Sequence, residues 1–242
     1  MAMWVTHLMI ADRVLEAIPE LDRRGFCVGS IAPDCNVENE DWTQFTPSRE
    51  VTHWMSADRK VADDSDRFYD EYIRKRQYLG AEELSFLLGY YAHLVADAEF
   101  QRYIRDDARV ASSWKRIQAH PVLSVRAKGM PKTWDSVRKL ISRDERMRDI
   151  YTIEAEYLDE HPNCGYLTEI LHLKFFPDYI DYLPQGAIVR KIEVMGYLPK
   201  HQSGDFPFVA MSKEEYSTFL TNATEQIIRG ITFRPMSRGA LE

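Results

Sequence analysis

The strongest periodicity in the chain runs from Ala81 to Tyr103, where Leu84, Leu87, Leu88, Tyr91, Leu94 and Val95 fall on one broad helical face. A second stripe, Leu8, Ala11, Leu15 and Ile18, predicts a helix over residues 6–18, with Thr6 as N-cap, His7 in its first turn and Pro19 at its end. The segment from Gly25 to Asn36 carries two glycines and a proline among small apolar residues. It predicts a short apolar element breaking into an irregular loop that turns Asp34 inward.

Residues 35–47 are polar and read as a surface loop holding Trp42 and Phe45. Short helices are expected from Ser48 through Trp54 and from Asp64 to Lys75, and longer ones over 133–148, 165–180 and 213–228. For 187–195 the β-branched content and the period disagree, so helix and strand both stand. With no repeat, low-complexity tract or linker, residues 1–242 read as one mainly α domain.

Composition narrows the class. The 242 residues are 45% apolar and 29% charged, as in soluble globular proteins, and the net charge of −7 argues against general nucleic-acid binding. Cys27, Cys35 and Cys164 lack CxxC spacing and read as reduced thiols. No run approaches the roughly 18 apolar residues of a membrane span. The N-terminus has no basic leader or cleavage pattern, and a cytoplasmic protein is expected.

Chemistry concentrates in Gly89-Tyr-Tyr-Ala-His93-Leu-Val-Ala-Asp97. On a helix, His93 and Asp97 share a face, with Cβ atoms about 6 Å apart. The ordinary alternative is a core histidine hydrogen-bonded to a carboxylate one turn away. Against it stands the cost of burying a carboxylate in an apolar face without a positive partner, which a divalent metal would supply. Gly89, one turn earlier, removes bulk where an ion or another backbone would approach. His7, Asp34 and His53 are each weak alone: an Asp after Pro is commonly a turn or cap.

Taken in order, Thr-His7, Gly29-Ser-Ile-Ala-Pro-Asp34, Thr-His53-Trp and the helical Gly-x3-His93-x3-Asp97 resemble the bacterial zinc-dependent phospholipase C family. The resemblance covers roughly residues 3–105. It implies an all-α, single-domain helical bundle of the phospholipase C and S1/P1 nuclease type that hydrolyses phosphate esters. Carried over, Asp34, His53, His93 and Asp97 match one zinc site, and Asp97 bridges to a further zinc that takes His7. The departures are specific. Trp4 is internal where the family uses an N-terminal tryptophan amine, and Tyr103 stands where it has a histidine six residues past the bridging Asp. No later His-x3-Glu occurs: four residues after His120 stands Ser124, and the nearest substitute is His201-x3-Asp205. The pattern therefore provides for one or two ions, zinc by resemblance, with manganese or another divalent metal as alternatives.

His161, Glu169 and His172 are further ligand candidates, although surface or capping roles explain each of them as well. Arg102, with Arg105 and Arg109, is the candidate phosphate-binding group. The expected activity is metal-dependent hydrolysis of a small phosphate ester by activated water, with Asp34 orienting or deprotonating that water. An HD-type phosphohydrolase requires an adjacent His-Asp pair, which this sequence lacks. The non-enzymatic alternative is a helical domain with a structural metal that binds a partner through Trp42, Trp54, Tyr90 and Tyr91.

Overall fold

The computed structural model describes residues 3–55, 64–76 and 79–234. The chain forms two compact units: Met1–Ala98 with Pro162–Tyr197 and Ala223–Glu242, and Glu99–His161 with Leu198–Asn222. Both are helical, as expected. In order the helices are α1 (Trp4–Ala17), α2 (Arg23–Gly29), α3 (Arg49–Thr52), α4 (Ser65–Phe68), α5 (Ala81–Tyr103), α6 (Asp107–Ala119), α7 (Pro121–Arg126), α8 (Trp134–Leu140), α9 (Arg143–Glu160), α10 (Ala187–Met195) and α11 (Lys213–Thr232). Among the described residues no helix is long and apolar enough to cross a membrane.

In the first unit α1 buries Leu8, Ala11 and Val14 and packs on α2. Asp22 caps α2 by accepting from the Gly25 N–H at 2.7 Å. Helices α2 and α5 then cross almost backbone to backbone. A Cβ on Gly29 would lie 2.0 Å from the Phe86 carbonyl oxygen, and one on Gly89 would lie 2.2 Å from that of Phe26. Between the two approaches left open for Gly89 in the sequence, the fold uses the backbone. Phe68 stacks between Tyr90, at 4.5 Å, and Tyr72, at 5.0 Å, closing the other side of α5.

The second unit closes over Val110, Trp114, Ile117, Leu123, Val137, Ile141 and Val209. Side-chain caps punctuate it: Asp106 on α6, His120 on α7, Thr133 on α8 and Ser142 on α9.

Several boundaries correct the sequence reading. Helix α1 starts at Trp4, so Thr6 is not its cap, and the His7 N–H already bonds the Met3 carbonyl at 3.0 Å. The helix expected over 133–148 is two, because Ser142 accepts from the Glu145 N–H and starts α9 afresh. The one expected over 165–180 shrinks to a π-turn, Tyr166–Ile170, after which Phe176 is buried beside Phe86. The 35–47 loop contains a two-residue antiparallel ladder, Val37–Glu38 with Phe45–Thr46. Segment 187–195 is helical, and its buried Lys191 pairs with Glu38 of that ladder at 2.6 Å.

Candidate metal centre

Four elements of the first unit deliver the donors. Helix α1 carries His7, a 3-10 turn after α2 (Ala32–Asp34) carries Asp34, His53 ends α3, and α5 carries His93 and Asp97. The glycine seam between α2 and α5 sets the first registration. It brings the Ser30 carbonyl to 2.8 Å from His93 Nδ1. A carbonyl only accepts, so Nδ1 bears the proton and Nε2 presents its lone pair.

His53 is held in a similar way. Its Nδ1 lies 2.9 Å from Thr52 Oγ1, while the Tyr90 hydroxyl donates to the Thr52 carbonyl. Trp54 Nε1 donates to Tyr182 Oη at 3.0 Å, and that hydroxyl donates to Tyr90 Oη at 2.8 Å. Tyr90 and Tyr91 are buried, which withdraws them from the partner-binding surface expected as the alternative.

The side chains converge. His53 Nε2 is 3.4 Å from His93 Nε2 and 3.2 Å from Asp34 Oδ1. The His7 and His93 rings stack at 3.8 Å, and His7 Nε2 is 3.7 Å from Asp97 Oδ1. Two donor groups result, His7, His93 and Asp97, and Asp34, His53 and His93, with the atoms of each within 4.8 Å of one another. All are imidazole nitrogens or carboxylate oxygens, the donor set zinc takes. His7 Nε2 is buried without a hydrogen-bond partner, a cost that a cation removes. The residues therefore fit a divalent ion. His93 belongs to both groups and has one nitrogen to give, so two ions would compete for it.

Charge follows from burial. Burial and the neighbouring His93 lower His7 to about 3. Burial likewise lowers His93. For Asp34 burial acts upward, but the hydrogen bond from His53 and the charges of His93, His53 and Arg49 outweigh it, holding the carboxyl well below its usual range. Burial also acts upward on Asp97, and electrostatic interaction with nearby groups, His93, His7 and His53 among them, brings it to about 2. With His7 and His93 favoured in their neutral forms and Asp34 and Asp97 as carboxylates, the cluster offers donors suited to a positive charge.

Residues 6–99 match the family model described as zinc dependent phospholipase C. The match spans every donor of the cluster and bears out the family resemblance over that stretch. No curated protein and no solved structure matches the chain, so the nuclease-type architecture carried by the resemblance rests on sequence alone.

The other candidates are elsewhere employed. Glu169 pairs with Arg23 at 3.4 Å, His172 is exposed, and His161 stacks on Tyr157 with Nδ1 on the Tyr157 carbonyl. None of them joins either donor group. His201 pairs with Asp159 and His120 caps α7. Arg102 is held by Glu99 at 2.6 Å, Arg105 by Gln101, and Arg109 is buried on the Ile104 and Ala210 carbonyls.

The residue that sequence reading missed is Arg49. Its guanidinium donates to Asp97 Oδ2 at 2.9 Å and stands 3.9 Å from Asp34 Oδ1. The available signal was spacing: Arg49 is four residues before His53 on the segment that Ser48 opens, hence on one helix face.

Proposed function

We propose that this protein is a metal-dependent hydrolase of phosphate esters. One observation carries the reading: the five donors His7, Asp34, His53, His93 and Asp97, scattered through the family-matched stretch, meet in one buried cluster. A zinc ion held there would act as a Lewis acid, lowering the pKa of water towards about 7 and polarising a phosphoryl oxygen.

The chain's own residues do the rest. His93, His53 and Asp34 form the tighter donor set, the two rings oriented by the Ser30 carbonyl and the Thr52 hydroxyl. Asp34 acts as a ligand and orients water; a carboxyl held so far below its ordinary range is a weak base. Arg49 and Asp34 bring the cluster to solvent. Arg49 and Asp34 side chains are 29% and 14% exposed, whereas those of His53 and Asp97 are at 1% and 4%. Substrate reaches the donors past that pair. His7 with Asp97 offers a second, poorer position, because His93 serves the first.

Elemental analysis paired with aryl phosphomonoester and phosphodiester substrates tests the reading. The expected result is at least one zinc per chain and hydrolysis that a chelator abolishes and zinc restores. A fully loaded protein that cleaves no phosphate ester would instead leave the ion a structural role.

A further inference from the structure

Among the described residues, Arg49 is the cationic side chain paired with the carboxylates of the donor cluster, and nothing in the resemblance assigns it a role. It sits at the first position of α3, and its carbonyl receives the His53 N–H at 2.9 Å. Arg49 and His53 are therefore joined by one hydrogen-bonded turn. One guanidinium nitrogen donates to Asp97 Oδ2, a second stands near Asp34 Oδ1 at a distance too long for a hydrogen bond, and the planar group has five N–H donors in all. Donors remain for another oxygen ligand, and with the side chain 29% exposed they are within reach of solvent.

Charge points the same way. As ligands, Asp34 and Asp97 bring two negative charges, and a histidine binds a metal in its neutral form. One divalent ion balances the net charge of the carboxylates and leaves no surplus positive charge for an anion. Arg49 adds one positive charge, so the loaded site carries a surplus facing solvent. A guanidinium fork also matches the spacing of two phosphoryl oxygens, which an ammonium does not.

We propose that Arg49 is the phosphate-binding residue of this site. It pairs with Asp97 in the ligand-free protein and turns its remaining donors to the phosphoryl oxygens of an ester lying over the donor cluster. The role expected for Arg102 in the sequence passes to Arg49. This inference rests on the phosphate-ester reading above.

The test titrates the zinc-loaded protein with inorganic phosphate by calorimetry, and measures zinc affinity separately by competition with a chromophoric chelator. Arg49→Gln should weaken phosphate binding about 10- to 100-fold, the worth of charge-assisted hydrogen bonds, and should leave zinc affinity equal or tighter. Arg49→Lys should fall between, keeping the charge without the fork. Arg105→Gln, an exposed arginine giving the same change in net charge, should bind phosphate like the wild type. Wild-type phosphate affinity in Arg49→Gln would overturn the proposal. So would parallel loss of zinc, which would make Arg49 a brace for the carboxylates and no more. The two readings separate cleanly: a wild type that cleaves esters while Arg49→Gln binds phosphate normally defeats this inference alone. A zinc-loaded wild type that cleaves no ester defeats the functional reading, and this one with it.

Discussion

Gly89→Ala tests the link between the helix seam and the site. The added Cβ would lie 2.2 Å from the Phe26 carbonyl oxygen and 3.0 Å from the Ser30 nitrogen. Ordinary non-bonded contact begins near 3.5 Å, so α2 and α5 must part by roughly 1 Å. The partner surface cannot yield locally, because Gly25 and Gly29 already touch the α5 backbone on either side of Phe26. Overpacking of this kind costs about 1–3 kcal/mol, and the better helix propensity of alanine returns about 1 kcal/mol. Parting the helices also draws the Ser30 carbonyl away from His93 Nδ1, now 2.8 Å apart, and an orphaned buried N–H costs a further 1–3 kcal/mol or so. The metal-free variant should therefore be destabilised by about 1–5 kcal/mol, against the roughly 5–15 kcal/mol a domain has to lose.

Because Ser30 orients a donor ring, zinc affinity should fall too, by the roughly 10- to 100-fold typical of losing an outer partner of a metal ligand. Urea denaturation in chelator reads the first effect, and competition with a chromophoric chelator reads the second. Gly80→Ala is the control, since a Cβ there meets nothing within 4 Å. An unchanged urea midpoint in Gly89→Ala would refute the seam argument. A lowered midpoint with wild-type zinc affinity would refute the step from seam to site.

How much of this was legible in the chain depends on what each feature needs. The long α5 runs between the bounds its apolar stripe predicted, Ala81 and Tyr103, because a broad buried face repeats with helical period. His93 and Asp97 were readable on different grounds: they are the imidazole and the carboxylate of an otherwise apolar run, four residues apart and so on one helix face. Asp34 and His53 sit on a short turn and at the end of a short helix, too brief for a period, and only the family pattern picked them out. The split of 133–148 was written in the sequence as Ser142-x-x-Glu145, but the charged amphipathic run around it reads as a continuous helix unless the cap is weighted. The π-turn after Gly165 depends on Asp12 accepting from the Gly165 N–H at 3.0 Å, a contact across most of the chain that no local pattern contains. Arg102 pairs with buried Glu99, three residues before it, a partner one helix turn away that the sequence already showed. Arg49 escaped notice because its partners, Asp97 and Asp34, come from other elements.

Three further outcomes are expected. Asp97→Ala should lower zinc affinity by more than the about 100-fold ceiling for outer partners, whereas Cys35→Ala, whose buried thiol rests on the Ile31 carbonyl, should keep full metal content by elemental analysis; zinc retained at wild-type affinity in the Asp97 variant would remove Asp97 from the ligands. His7→Ala should still bind one zinc through Asp34, His53 and His93, and a variant that loses all metal would place His7 in the primary set. Asp149→Asn should stabilise the protein in a pH-dependent way. Burial raises the Asp149 carboxyl from 3.8 to about 6, against a hydrogen bond from the Phe208 backbone N–H. The folded state therefore holds a proton that the unfolded chain releases, and stability falls as pH rises from about 4 to 6, by up to about 3 kcal/mol. Asparagine cannot ionise and can still accept from Phe208, so in chelator-treated protein its advantage should be about 1–3 kcal/mol at pH 7 and vanish near pH 4. An advantage equal at both pH values would mean that packing, and not ionisation, sets the cost at this position.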